Sequence, residues 1–216
     1  MPLEGREALA KLGVSRETED LLVRFVERLG QWQAATNLIS KASFADVWSR
    51  HIADSAQLVA RFPEGRRWLD LGSGAGFPGI VIAALLKPSA DATVHLVESD
   101  RRKAAFLTTV ARELELPAQV HADRIESVVK RWREPIDFVT ARALAPLDRL
   151  CEFLEPLISG PTRALLLKGG NFSVEVEEAA HRWNLDLLRW PSVTDSSGSI
   201  IEIRRIERRQ PLNKRG

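Results

Sequence analysis

From Arg67 onward the sequence alternates short apolar runs with longer amphipathic stretches, a texture that few folds satisfy. The runs are Trp68–Leu71, Val94–Val97, Ala118–His121, Phe138–Ala141 and Ala164–Leu167. Between them the spacing predicts helices over Pro78–Leu86, Arg101–Leu114, Arg124–Trp132, Pro146–Ile158 and Ser173–Trp183. Repeated strand-then-helix units predict a parallel sheet covered on both faces. After the last helix, Leu185–Trp190 and Ile200–Ile206 read as two strands with no helix between them, joined through Thr194-Asp195-Ser196-Ser197-Gly198. An antiparallel hairpin at one sheet edge follows.

The N-terminal part is different. Leu21, Leu22, Phe25, Val26, Leu29 and Trp32 fall on one face of a helix that Ser15 is placed to cap. Ser43-Phe44-Ala45-Asp46 has the form of a capping box and predicts a second helix running to about Phe62, where Pro63 and Gly65 end it. Thr36-Asn37-Leu38-Ile39-Ser40 reads as the loop between them. The expected organisation is a helical extension or lid at 1–65, a cofactor-binding sheet domain at 66–209 and a basic tail at 210–216, together one globular unit. At 216 residues the chain is within the size that one core can serve.

The glycine string Gly72-Ser73-Gly74-Ala75-Gly76-Phe77-Pro78-Gly79 follows the strand Leu69-Asp70-Leu71 and opens a helix. Glycines there let the backbone turn sharply and come close to a ligand. The dinucleotide pattern G-x-G-x-x-G requires glycine where Phe77 stands, so the loop reads as a cofactor cradle outside the dinucleotide class. Glu98 ends the next strand, where a carboxylate faces the crevice at the strands' C-terminal edge and can accept both ribose hydroxyls of an adenosyl group. Five parallel strands closed by an antiparallel hairpin is the Rossmann-like sheet of class I methyltransferases, whereas a dinucleotide dehydrogenase ordinarily ends on another parallel strand. Asp123, Ile125 and Glu126 follow the third strand, where they would border an adenine ring. Arg142 and Lys168 end the fourth and fifth strands, pointing two cations into one crevice. They pair with carboxylates such as Asp70 or Glu126, or they meet phosphate and the methionyl carboxylate.

Other features exclude more than they assign. His51, Asp54 and Ser55 share a helix face, but on one short turn the imidazole cannot bridge hydroxyl and carboxylate in a hydrolase relay. His51 and Asp54 make two metal ligands, with no third histidine or cysteine nearby. Cys151, the single cysteine, reads as a buried structural thiol. The longest apolar run, Ile80 to Leu86, falls well short of the roughly 20 residues that cross a bilayer, and Met1-Pro2-Leu3-Glu4 does not open a signal peptide, so the expected location is the cytoplasm. Net charge is only +2, yet the cations cluster at Arg66-Arg67, Arg101-Arg102-Lys103, Lys130-Arg131-Arg133, Arg204-Arg205, Arg208-Arg209 and Lys214-Arg215. Such patches suit a nucleic acid, or are solvated helix faces. Trp48, Trp132 and Trp183 are candidates for stacking on a base, although most of the tryptophans read as core.

Taken in order, Asn37-Leu38-Ile39, Arg50-His51-Ile52-Ala53-Asp54-Ser55, the string Leu69 to Gly79, Leu96-Val97-Glu98-Ser99, Phe106-Leu107, Arg124-Ile125-Glu126, Ala141-Arg142-Ala143 and Leu167-Lys168-Gly169 resemble the bacterial 16S rRNA guanine-N7 methyltransferases of the RsmG (GidB) type. The resemblance implies S-adenosyl-L-methionine as cofactor and, as substrate, the guanine at position 527 in the 530 loop of 16S rRNA, whose unmodified state is linked to streptomycin resistance. It implies cofactor contacts from Gly72, Phe77, Ile125, Glu126 and Arg142, to which the topology adds Gly74 and Glu98. Asn37, His51, Asp54 and Lys168 match positions on the RNA-facing side of the cleft. The implied partner is 16S rRNA in the 30S subunit or an assembly intermediate, met by a monomer. A methyltransferase acting on another RNA and a cofactor-free RNA-binding protein are the alternatives; the second leaves the glycine loop and Glu98 without a role.

Overall fold

The Val- and Leu-rich runs, apolar on both faces, assemble as the predicted sheet. In the computed structural model, which describes residues 1, 3–170 and 172–209, the strands are β1 (Arg67–Leu71), β2 (Thr93–Val97), β3 (Ala118–His121), β4 (Phe138–Arg142), β5 (Arg163–Lys168), β6 (Trp183–Pro191) and β7 (Ser199–Arg208). They form one seven-stranded sheet in the order β3-β2-β1-β4-β5-β7-β6. Strands β1 to β5 pair in parallel, and β7 runs antiparallel to both β5 and β6. The expected basic tail at 210–216 lies outside the described residues.

Register decides what meets at the C-terminal edge. Leu71 lies opposite Val97 on β2 and Ala141 on β4, Val97 lies opposite His121, and Arg142 lies opposite Leu167. The residues just past these ends, Gly72, Glu98, Ala122, Ala143 and Lys168, therefore form a row. Because the chain lays down β2 and β3 on one side of β1 and then β4 and β5 on the other, the edge between β1 and β4 is the topological switch point, where open α/β sheets bind ligands.

Helices α5 (Gly79–Leu86) and α6 (Arg101–Glu113) cover one face of the sheet, and α7 (Ile125–Arg131), α8 (Leu147–Leu154) and α9 (Phe172–Ala179) belong to the other. The apolar run Ile80–Leu86 is thus a core helix, and no described helix is long and apolar enough to cross a membrane. Cys151 of α8 is fully buried against the second face of the sheet, where burial pushes its thiol up to about 12. Trp48, Trp68 and Trp183 are buried as well, and Trp183 gives its indole N–H to Asp148 at 2.9 Å, as core tryptophans do.

Of the N-terminal helices α1 (Leu3–Lys11) and α2 (Arg16–Gln33), α2 adds a layer over α5 and α6, and α1 packs against residues 47–53. Ser15 caps α2 by accepting from the Thr18 amide at 3.3 Å, and the predicted stripe is buried at Leu22, Phe25 and Leu29. Phe25 reaches Phe77 of the glycine loop (centroids 5.3 Å apart) and Phe106 of α6 (6.3 Å), so this layer shares its core with the sheet.

Three sequence expectations change. The cap before the next helix is Ser40, which accepts from the Ser43 amide at 3.0 Å, so Ser43 lies inside α3 (Lys41–Ala45) rather than capping it. The single helix expected to Phe62 is three segments: α3, a π-helical segment (Val47–Ala53) and α4 (Asp54–Arg61). Asp46, at φ −101° and ψ 23°, breaks the α-helical path between the first two. At the other end of the chain, α9 stops at Ala179 and Trp183 opens β6 because its indole is drawn into the core.

Candidate cofactor and substrate cleft

Strand β1 delivers the glycine loop to the switch point, and hydrogen bonds fix its path. The amides of Gly72 and Ser73 both donate to the Val97 carbonyl at 2.9 Å, and the Gly76 amide donates to the Ser73 carbonyl at 2.7 Å. Gly72, Gly74 and Gly76 have φ of 71°, 55° and 95°, in the left-handed region that side chains disfavour. Their surroundings differ. A Cβ at Gly76 would stand 2.7 Å from Ile80 Cγ1, and one at Gly72 would stand 2.7 Å from Leu144 Cδ1. A Cβ at Gly74 would meet nothing nearer than the Gly72 carbonyl at 3.8 Å, so the missing side chain leaves open space there.

Under the loop lies Asp70, fully buried, accepting from the Gly79 amide at 3.2 Å and the Thr140 hydroxyl at 3.0 Å. Burial raises its carboxyl to about 6 against the opposing effect of these bonds. Beside the loop lies Glu98, buried, accepting from the Gly74 amide at 2.9 Å and from the Asp100 amide at 2.7 Å. A carboxylate has about four acceptor positions, so Glu98 keeps room for two further donors.

Cavities open past the C-terminal ends of the strands. One, of about 560 Å³, is lined by Ser99, Arg101, Ala122, Asp123, Arg124, Ile125 and Glu126 past the ends of β2 and β3. The other, of about 1170 Å³, lies past β4 and β5, between α4, α9 and the β6–β7 loop; Asp54, Arg142, Leu144, Lys168, Glu178 and Thr194 are among its walls. Ala143, at φ 47°, is a strained non-glycine residue on its floor.

Both strand-end cations pair with carboxylates, though not with the two that the sequence suggested as examples. Arg142 donates to the Arg50 carbonyl at 2.8 Å and places Nε 3.8 Å from Asp54. Lys168 donates to Glu175 at 2.7 Å and to the Ala145 carbonyl at 3.3 Å. Asp70 is bonded beneath the loop and acts on Arg142 only through its charge, and Glu126, exposed at the start of α7, pairs with Arg149 at 3.0 Å, so neither makes an ion pair with these cations. Asp54 also accepts from Gln57 at 2.7 Å and from the Thr194 hydroxyl at 3.0 Å. Burial raises the Asp54 carboxyl, and Arg142 opposes that rise.

Of the four residues matched to the RNA-facing side, the structure brings Asp54 and Lys168 into one cleft. Asn37 lines a separate cavity of about 780 Å³ with Gln33, Leu38 and Lys41. His51 is buried in the π-helical segment, its ring stacked on Phe77 at 4.8 Å with neither ring nitrogen bonded. Burial, with Arg142 and Arg50 adding to it, lowers its pKa to about 4, which leaves the ring neutral. Ser55 gives its hydroxyl proton to the His51 carbonyl at 2.6 Å, so no hydrolase relay forms. The Phe77 side chain points into the core. No group of three or more metal-ligating side chains occurs among the described residues.

Sequence reasoning missed Gln57 and Thr194. Gln57 donates to Ser192 Oγ at 3.1 Å and accepts from the Val193 amide at 3.0 Å, tying α4 to the β6–β7 loop. Gln57 stands one helical turn past Asp54, a signal present in the sequence; Thr194 lies in a turn that had no visible link to the helix.

Residues 18–202 match the model of the family rRNA small subunit methyltransferase G. The chain belongs to this family. A ribosomal RNA small subunit methyltransferase G of Nitrobacter hamburgensis is 47% identical over 202 residues, covering 94% of this chain and 78% of that protein. One from a Bradyrhizobium species is 45% identical over 201 residues, 93% of this chain and 90% of the other. Among solved structures, the O-methyltransferase from Bacillus cereus in complex with SAH superposes with a TM-score of 0.57 at 16% identity, covering 84% of this chain and 91% of that one. That likeness shows the class I methyltransferase fold, and with the family it makes this chain an enzyme of the methyltransferase class.

Proposed function

We propose that this protein transfers a methyl group from S-adenosylmethionine to N7 of a guanine in 16S rRNA, at position 527 of the 530 loop, acting in the cytoplasm as a monomer on the 30S subunit or an assembly intermediate. The observation that carries the reading is the buried Glu98 carboxylate, with two acceptor positions spare, bonded to the amide of Gly74, the loop residue beside open space. These residues fit an adenosyl cofactor. Ile125 and Glu126, which line the smaller cavity, would border the adenine, Glu98 would take the ribose hydroxyls, and Gly72, Gly74 and the Phe77 backbone would line the approach. Arg142 would face the methionyl carboxylate or an RNA phosphate.

When bound, the cofactor supplies an electrophilic methyl group on a sulfonium. Guanine N7 carries an in-plane lone pair, so the protein has no proton to remove and needs no general base. Its work is orientation, which supplies roughly 7–11 kcal/mol in favourable cases. Arg142, fixed by the Arg50 carbonyl and Asp54, holds its charge in the wall of the larger cavity. Asp54 and Lys168 act on the substrate side, while His51 supports Phe77 from behind and Asn37 belongs to a more distant surface of the helical extension. N7 lies in the major groove, which is too narrow in A-form RNA for side chains, so the target is a loop or splayed base.

Labelled-methyl transfer to 30S subunits and to naked 16S rRNA from a strain lacking the enzyme tests this reading. Label on guanine N7 at the stated position is the expected result. Label on another RNA points to a different substrate, and RNA binding without affinity for S-adenosylmethionine points to a cofactor-free RNA-binding protein.

A further inference from the structure

The larger cleft holds more than the methyl transfer itself requires. Val174 and Val193 are the two large apolar side chains that stand exposed among the described residues, 56% and 71% respectively. Val174 lines this cleft on α9, and Val193 adjoins the cleft residue Thr194 at the hairpin tip. Four residues beyond Val174, on the same helix face, Glu178 also lines the cleft. The other carboxylates there are engaged: Asp54 by Gln57 and Thr194, Glu175 by Lys168 and the Leu147 amide, Asp195 by Ser197. Glu178 is exposed and makes no side-chain hydrogen bond or ion pair among the described residues.

We infer that α9 reads the target base, with Val174 against its face and Glu178 accepting from the N1–H and N2–H donors of guanine. The inference rests on the guanine-N7 reading above. Geometry supplies the direction. If N7 is turned toward the β1/β4 switch point, the Watson–Crick edge, on the opposite side of the purine, is turned away from it, toward the far wall past β5 where α9 stands. Guanine presents two adjacent donors on that edge, and adenine does not. A free carboxylate is the side chain that accepts both, and a site built to accept them rejects a base lacking them. An apolar side chain kept at the rim of a polar cavity fits a base's face, which offers no hydrogen bonds.

The test uses 30S subunits reconstituted with 16S rRNA ligated to carry guanosine or inosine at the target. Inosine keeps N7 and N1–H and lacks the N2 amino group. The wild-type enzyme is expected to prefer guanosine in kcat/KM by about tenfold or more, the scale of a bidentate base contact. Glu178→Gln, which cannot accept both protons, is expected to narrow that preference to about threefold or less while affinity for S-adenosylhomocysteine stays unchanged. Val174→Ala is expected to lower kcat/KM on both substrates alike. A Glu178→Gln enzyme that keeps the wild-type ratio overturns the inference alone, as does a wild type with no preference. Absence of transfer to guanosine by the wild type overturns the reaction reading and the inference with it.

Discussion

Alanine at position 74 places a methyl group in the open space beside Glu98. The loop itself tolerates it. The new Cβ lies 3.8 Å from its nearest neighbour, the Gly72 carbonyl, so packing adds no penalty. What remains is the backbone at φ 55°, which costs an alanine about 1–2 kcal/mol, partly offset by about 0.4–1 kcal/mol from a stiffer unfolded chain. The net loss is about 1 kcal/mol, or roughly 2–4 °C in Tm for a chain of this size. Gly76→Ala is the contrast. There the Cβ would stand 2.7 Å from Ile80 Cγ1 and 3.1 Å from Ile80 Cβ, inside the core, at φ 95°. Overpacking added to backbone strain gives a loss of about 3 kcal/mol or more. Urea denaturation measures both stabilities, and calorimetric titration with S-adenosylhomocysteine measures affinity. The Gly74→Ala protein is expected to be folded and to bind at least about tenfold more weakly, equal to about 1.4 kcal/mol. Affinity within twofold of wild type in folded Gly74→Ala would refute the cradle, and equal destabilisation by both substitutions would refute the packing argument.

Two buried groups predict opposed pH dependences. Asp70 titrates near 6 in the fold against an ordinary 3.8, so the folded state binds the extra proton and stability falls, by about 3 kcal/mol, as pH rises between those values. His51 titrates near 4 against 6.5, so the unfolded state binds the extra proton and a similar stability is lost as pH falls through that window. Urea midpoints at pH 4.5 and 6.5 should therefore show Asp70→Asn more acid-sensitive than wild type and His51→Phe less so; parallel profiles would count against both assignments. Arg142→Ala removes the cation facing Asp54 and is expected to weaken S-adenosylhomocysteine or rRNA binding by about tenfold, the scale of one charge-assisted contact; filter binding and calorimetry showing neither change would refute its role. Gln57→Ala unties α4 from the β6–β7 loop, at about 1–2 kcal/mol, and should speed proteolysis within 192–198; an unchanged cleavage rate would show that the loop does not depend on that link.

The strands and the glycine loop were legible because their information is local. A buried parallel strand is mostly apolar, and a loop at positive φ favours glycine, so Trp68–Leu71, with Asp70 its one polar residue, and Gly72-Ser73-Gly74-Ala75-Gly76 announce themselves. The cap at Ser40 was misplaced to Ser43 because two serines three residues apart both satisfy the local chemistry, and Ser40 bonding to the Ser43 amide is a matter of backbone path. The π-helical segment had no signal of its own. Its turn follows from packing His51 and Ile52 against the sheet domain, which periodicity along one segment does not report.

Sequence by itself determined the sheet, its closing hairpin, the glycine loop with Glu98 at the end of the next strand, and the family the residues resemble. Only the tertiary structure decided which polar groups meet. Arg142 faces Asp54 and not Asp70, Lys168 faces Glu175 and not Glu126, His51 lies behind Phe77, and Asn37 opens on another cavity. The reason is physical: hydrophobic periodicity fixes the face on which a residue sits, whereas a charge takes the nearest partner that shares its burial. That partner comes from elements far apart in the chain, as when α4, β4 and the β6–β7 loop converge on Asp54.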